Sequence, residues 1–113
     1  MTLVTQIYRI TQAFPPAEIY GLTSQIRRAA VSIPSNLAEG FARQTNGDFA
    51  RFLAIANGSL AELETQMIIA VNLGFVHHDE LKEADGLASE VGKMINALSR
   101  KLRDASTSEN DNH

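Results

Sequence analysis

Apolar residues recur along this chain at intervals of three and four, the spacing that gathers them on one side of an α-helix. Four such runs are present, and no alternating stretch competes with them as a strand. In the first, Leu3, Val4, Ile7, Tyr8, Ile10 and Phe14 form a broad stripe, with Thr2 placed as an N-cap. Pro15 and Pro16 then stop the helix, because each ring removes a donor and restricts the residue before it. In the second, Leu22, Ile26, Ala29, Ile33, Leu37 and Phe41 share a face. Pro34 lies inside this run and deprives the Ala30 carbonyl of its helical partner, so a kink is expected, costing about 3 kcal/mol unless packing offsets it.

Thr45–Asn46–Gly47–Asp48 reads as a loop leading into a variant capping box. The third stripe follows as Phe49, Phe52, Ala56, Leu60, Leu63, Met67 and Ala70, with Gly74 placed to stop the helix. The fourth, capped by His78 or Asp79, comprises Leu81, Ala84, Leu87, Ala88, Val91, Ile95, Leu98 and Leu102. The expected helices are about 2–14, 22–43, 48–73 and 79–103, within a single domain of residues 1–104, and 105–113 reads as a disordered polar tail. Short connections between long helices make neighbours antiparallel. The expected fold is therefore all-α: an antiparallel up-down-up-down four-helix bundle, its second helix kinked at Pro34.

The far end of the third helix breaks the amphipathic rule. Met67–Ile68–Ile69–Ala70–Val71–Asn72–Leu73 is apolar nearly all the way round, so one internal core does not account for it. A second burial surface is expected, made by further copies of the chain, with Met67, Ile68, Ile69, Val71 and Phe75 as interface candidates. Gly40 and Gly58, with the small stripe Ala50, Ala54, Asn57 and Ala61, are expected to permit close helix contact.

Composition agrees with a small globular domain: 113 residues, 44% hydrophobic. The absence of Cys excludes disulfides and thiolate metal sites. The first residues lack the basic and apolar segments of a secretory signal, and no run approaches the roughly 20 apolar residues that span a bilayer. A cytoplasmic protein without membrane contact is expected. Net charge is −3 but uneven: residues 1–51 carry +2 and residues 52–113 carry −5. The amino-terminal half can therefore present a local basic surface.

Chemistry-bearing patterns are few. No Glu is followed three residues later by His, and His-Glu-x-x-His is missing, so the metal sites of helical bundles are not indicated. His77–His78–Asp79–Glu80 reads as an exposed loop with capping residues. The seven Gly are scattered and make no phosphate loop. Glu62 and Glu64 fall about 200° apart on a helix and cannot act as a carboxylate pair. No catalytic residue, cofactor or metal is expected, and the chain reads as a non-enzyme.

The informative segment is Leu22 to Gly40. Arg28, Ser32, Asn36 (or Ser35) and Glu39 lie along one helix face, and an Arg or Asn, of this chain or of a neighbouring subunit, is a candidate partner for the freed Ala30 carbonyl. Ser32, Asn36, Glu39 and Glu62 are expected to form a polar network. Arg27 and Arg28 are candidates to contact phosphates or, alternatively, to close salt bridges to Glu39, Glu62 or Glu64 within or between subunits. Arg43 and Arg51 flank the loop between the second and third helices, as further binding candidates or as solvated loop-end charges. Lys93, Arg100, Lys101 and Arg103 are expected to complement the dipole at the end of the last helix.

Two blocks also carry a resemblance: Tyr20-Gly21-Leu22-Thr23-Ser24-Gln25-Ile26-Arg27-Arg28-Ala29 with Ser32-Ile33-Pro34-Ser35-Asn36 and Ala38-Glu39-Gly40, then Gly58-Ser59-Leu60-Ala61-Glu62-Leu63-Glu64-Thr65-Gln66 with Leu73-Gly74-Phe75. In these the chain resembles the four-helix proteins encoded in intervening sequences of bacterial large-subunit (23S) rRNA genes. The resemblance implies a four-helix bundle assembled as a ring-like homopentamer without a cofactor, and a homo-oligomeric assembly or adaptor protein is the first functional expectation for the chain. It extends to accessory proteins of diversity-generating retroelements, which bind a reverse transcriptase and nucleic acid through a basic surface. By that route Arg27, Arg28, Arg43 and Arg51 become candidates for contacting RNA, DNA or a nucleic-acid enzyme, although this chain's negative charge departs from those basic proteins.

Overall fold

A computed structural model describes residues 2–111. The helices are α1 (Thr2–Thr11), α2 (Leu22–Phe41), α3 (Asn46–Asn72) and α4 (Lys82–Asp111). Single 3₁₀ turns at Pro16–Glu18 and His78–Leu81 precede α2 and α4, and no strand occurs among the described residues. The molecule is elongated, 58 × 24 × 20 Å. Each helix packs on two others: α1 on α2 and α4, and α3 on α2 and α4. Among the described residues no helix is long and apolar enough to cross a membrane.

The stripes turn inward largely as periodicity requires. Leu3 and Ile7 of α1, Ile26 and Ile33 of α2, Leu53 and Leu63 of α3 and Ile95 of α4 are among the largest fully buried side chains. Several expected members depart from the core, Tyr8 of α1 among them at 42% exposed. Phe41, at the end of α2, is 59% exposed and packs edge-on against Phe49 at 5.1 Å. Phe49 and Phe52 are only half-buried, and Leu53 takes the inward position. The stripe at the start of α3 is thus rotated by one residue, because Gly40 of α2 leaves space that Phe49 and Phe52 fill from the side.

Helix ends explain the boundary differences. α1 stops at Thr11, and three loose turn bonds carry the chain to Phe14, whose ring meets Phe75 at 5.7 Å. Thr2, expected as a cap, is already the first residue of α1. Gly21 precedes α2 without offering a side chain, and the Glu18 carboxylate accepts from the Leu22 N–H at 3.0 Å instead. Thr45 Oγ1 accepts from the Asp48 N–H at 3.1 Å and starts α3 two residues earlier than expected. Neither His78 nor Asp79 is the cap before α4. His77 takes that role, its ring accepting from the Asp79 N–H while Glu80 accepts from the His77 N–H.

The segment expected as a disordered tail from residue 105 is helical as far as Asp111, and Asn112 and His113 lie outside the described residues. No Gly or Pro follows Gly92, so nothing local stops the helix after Arg103. In consequence Lys93, Arg100, Lys101 and Arg103 do not occupy the last turn of α4, which carries no basic residue, and the dipole reading of these cations fails.

Gly74 does end α3. Among the described residues it alone has a left-handed backbone, with φ +77°, while its N–H bonds Val71 O at 3.0 Å and the Phe75 N–H bonds Ala70 O at 2.9 Å. A Cβ there meets open space, so Gly74→Ala carries only the backbone cost. The expected result is a loss of about 1 kcal/mol, read as a lower denaturant midpoint at unchanged slope.

Candidate interaction faces

The basic candidates do not form one surface. Arg27 and Arg28 lie near the start of α2, whereas Arg43 and Arg51 lie around the α2–α3 connection, so roughly 20 Å of helix separates the pairs. Arg27 is held in place: its Nε donates to Thr11 Oγ1 at 2.8 Å, and its guanidinium lies 4.7 Å from the Tyr8 ring centre. Thr11 itself donates to the Ile7 carbonyl at 2.7 Å, so a buried hydroxyl links α1 to α2. Arg28 is exposed, and neither Arg27 nor Arg28 makes an ion pair among the described residues. The expected bridges to Glu39, Glu62 or Glu64 are therefore not made within the chain.

At the other end, Arg43 and Arg51 converge on one ring, lying 4.7 and 5.2 Å from the Phe52 centre. Arg43 also reaches Glu39 at 2.9 Å. Both partners are well exposed, so that pair contributes at most about 1 kcal/mol.

The expected polar network divides. Ser32 Oγ and Ser59 Oγ sit 2.8 Å apart across α2 and α3, and Asn36 Nδ2 donates to both the carbonyl and the hydroxyl of Ser32. Asn36 thereby serves Ser32 and not the Ala30 carbonyl. Glu62 accepts instead from Gln66 Nε2 at 3.2 Å, and Glu39 belongs to Arg43. Ser59, unassigned from sequence, is the crossing point between helices, and no local signal distinguishes it from the other exposed-face serines.

The interface candidates also divide. Met67 is 2% exposed and belongs to the internal core, while Val71 and Phe75 are half-buried against it. Ile68 is 63% exposed and Ile69 41%, with Leu73 beside them at 57%. The correction at Met67 has a simple cause: consecutive helical residues point about 100° apart, so only part of an all-round apolar segment can face one core. Gly58 and the stripe Ala50, Ala54, Asn57 and Ala61 are exposed, and a Cβ at Gly58 would touch nothing within 4 Å. Within the chain only Gly40, of these, sits at a close helix contact.

Two shallow grooves gather some of the exposed apolar groups. One, of about 540 Å³, lies between α1 and α2, lined by Tyr8, Ile19, Tyr20, Thr23, Arg28 and Val31. Tyr20 is 95% exposed, and the buried Thr23 hydroxyl has no hydrogen-bond partner. The sequence signal for this groove was present in Ile19–Tyr20, two apolar residues in a connection bounded by Pro16 and Gly21. The other, of about 340 Å³, lies between α3 and the start of α4, lined by Glu64, Met67, Ile68, Leu81 and Asp85. No cluster of three or more metal-binding side chains occurs among the described residues.

Fold and surface together define a four-helix bundle with exposed charged and apolar side chains on its helix faces. A model of the 23S rRNA-intervening sequence protein family matches residues 1–97, and the chain belongs to that family. Comparison with curated proteins finds no match.

Proposed function

We propose that this protein is a non-enzymatic, homo-oligomeric scaffold or adaptor of the cytoplasm that works without a cofactor. The observation that carries the reading is the exposed cluster Ile68, Ile69 and Leu73 at the end of α3. Large aliphatic side chains grouped at one helix end lose contact with water only against another molecule. The neighbour relations α1–α2, α2–α3, α3–α4 and α4–α1 support an up-down-up-down order, with α2 bending where Pro34 interrupts its bonding. The copy number of five comes from the resemblance to ring-forming family members. Nucleic-acid binding through Arg27, Arg28, Arg43 and Arg51 takes second place, because those side chains occupy two separate regions and two of them already stack on Phe52.

Sedimentation at micromolar concentration tests the assembly. The expected mass is a multiple of the 12.3 kDa chain, five-fold for the pentamer, and a single-chain mass overturns it. Filter binding at several salt concentrations tests the second reading: salt-dependent retention of RNA that disappears when the four arginines are reversed to Glu would establish it in place of the scaffold.

A further inference from the structure

The two grooves are opposites in charge and in position. The α1–α2 groove presents Arg28, without an ion pair among the described residues, beside the nearly bare ring of Tyr20 and the half-exposed Ile19 and Val31. Its nearby carboxylate, Glu18, is occupied at the start of α2. The α3–α4 groove presents Glu64 and Asp85 around Ile68 and Leu81, and its nearby cation, Lys82, leans toward Asp79 at 3.9 Å. In the cycle of helix contacts, α1–α2 and α3–α4 are opposite edges. Both grooves lie at the same end of the molecule, the end closed by Phe14 against Phe75.

We infer that the α1–α2 groove of one copy receives the α3–α4 groove face of the next copy, with Arg28 set against Glu64 and Asp85 and Tyr20 packed on Ile68. This rests on the homo-oligomer reading above and specifies its contact. The occupant is a second copy because the chain itself carries the matching face, acidic where the groove is basic and apolar in both centres. The contact is head-to-tail, since two different surfaces meet, and such a contact repeats from copy to copy. The exposed tyrosine and arginine are of the types that dominate binding at interface centres.

Charge exchange tests the pairing on the full chain. Arg28→Glu sets like charges together and is expected to reduce the sedimenting mass to that of smaller species at micromolar concentration. Combining Arg28→Glu with Glu64→Arg is expected to restore the wild-type mass, which a merely misfolded variant would not do. Circular dichroism should show the same helicity for all three proteins. An assembled Arg28→Glu variant, or loss of assembly without recovery in the double variant, overturns this pairing while leaving the scaffold reading intact. A wild-type protein that sediments as a single chain overturns both.

Discussion

Met67→Ala is expected to lower the unfolding free energy by about 2–5 kcal/mol, the range for truncating a large buried side chain. Met67 is 2% exposed and sits among the core residues of the bundle, so the substitution loses burial and leaves a cavity that rigid neighbours fill only in part. A domain of this size is stabilised by about 5–15 kcal/mol, so the loss is a large share of the total. The adjacent residue provides the contrast. Ile68 is mostly exposed, and Ile68→Ala should change the stability of a dissociated chain by no more than about 0.5 kcal/mol while weakening assembly. Denaturant unfolding at low and high protein concentration separates the two effects, because only the assembly term depends on concentration. A large concentration-independent loss at Ile68, with none at Met67, would mean that α3 is rotated from the orientation described.

Gly40→Leu carries the second large effect. Gly40 is buried where α2 meets α3, and a Cβ there would stand 3.1 Å from Phe52 Cβ and 3.2 Å from Phe49 Cδ1. The Phe49 ring can swing aside, but the Phe52 Cβ is fixed to its backbone, so the helices themselves must separate. For Gly40→Ala the strain works against a gain in helix propensity of about 1 kcal/mol, and the net effect is small. For Gly40→Leu the extra methylenes have no free space, and overpacking costs about 1–3 kcal/mol or more. Thermal unfolding of the two variants should therefore show Gly40→Ala close to wild type and Gly40→Leu melting several degrees lower. Equal melting temperatures would remove the close α2–α3 contact at this point.

Secondary structure and most of the core were legible because burial in a helix follows a period that residue type alone reveals. Ile26, Ile33, Leu63 and Ile95 are inward both by spacing and in the fold. Stops were legible where one residue type decides the backbone, as at Gly74. Boundaries were less so. The His77 cap, the Glu18 carboxylate at α2 and the continuation of α4 to Asp111 depend on which local hydrogen bond forms among several that are possible.

The candidate surface was legible in composition and not in arrangement. The four arginines were visible, but their separation into two regions follows from the length of α2 and from where Thr11, Tyr8 and Phe52 come to rest. Glu62 and Ser32 share a pattern of polar residues, yet cross-helix register gives Ser32 to Ser59, while Glu62 pairs with Gln66 one turn further along its own helix.

By itself, then, the sequence determined four amphipathic helices, their approximate limits, the family and the presence of more apolar surface than one core consumes. Tertiary structure decided which of those apolar side chains were surplus, removing Met67 from the outer face and exposing Tyr20, Ile68 and Leu73. The physical reason is that helical periodicity specifies angles within one helix, whereas exposure depends on rotation and register between helices. Those are set by bulky and missing side chains at the contacts, such as Phe52 against Gly40.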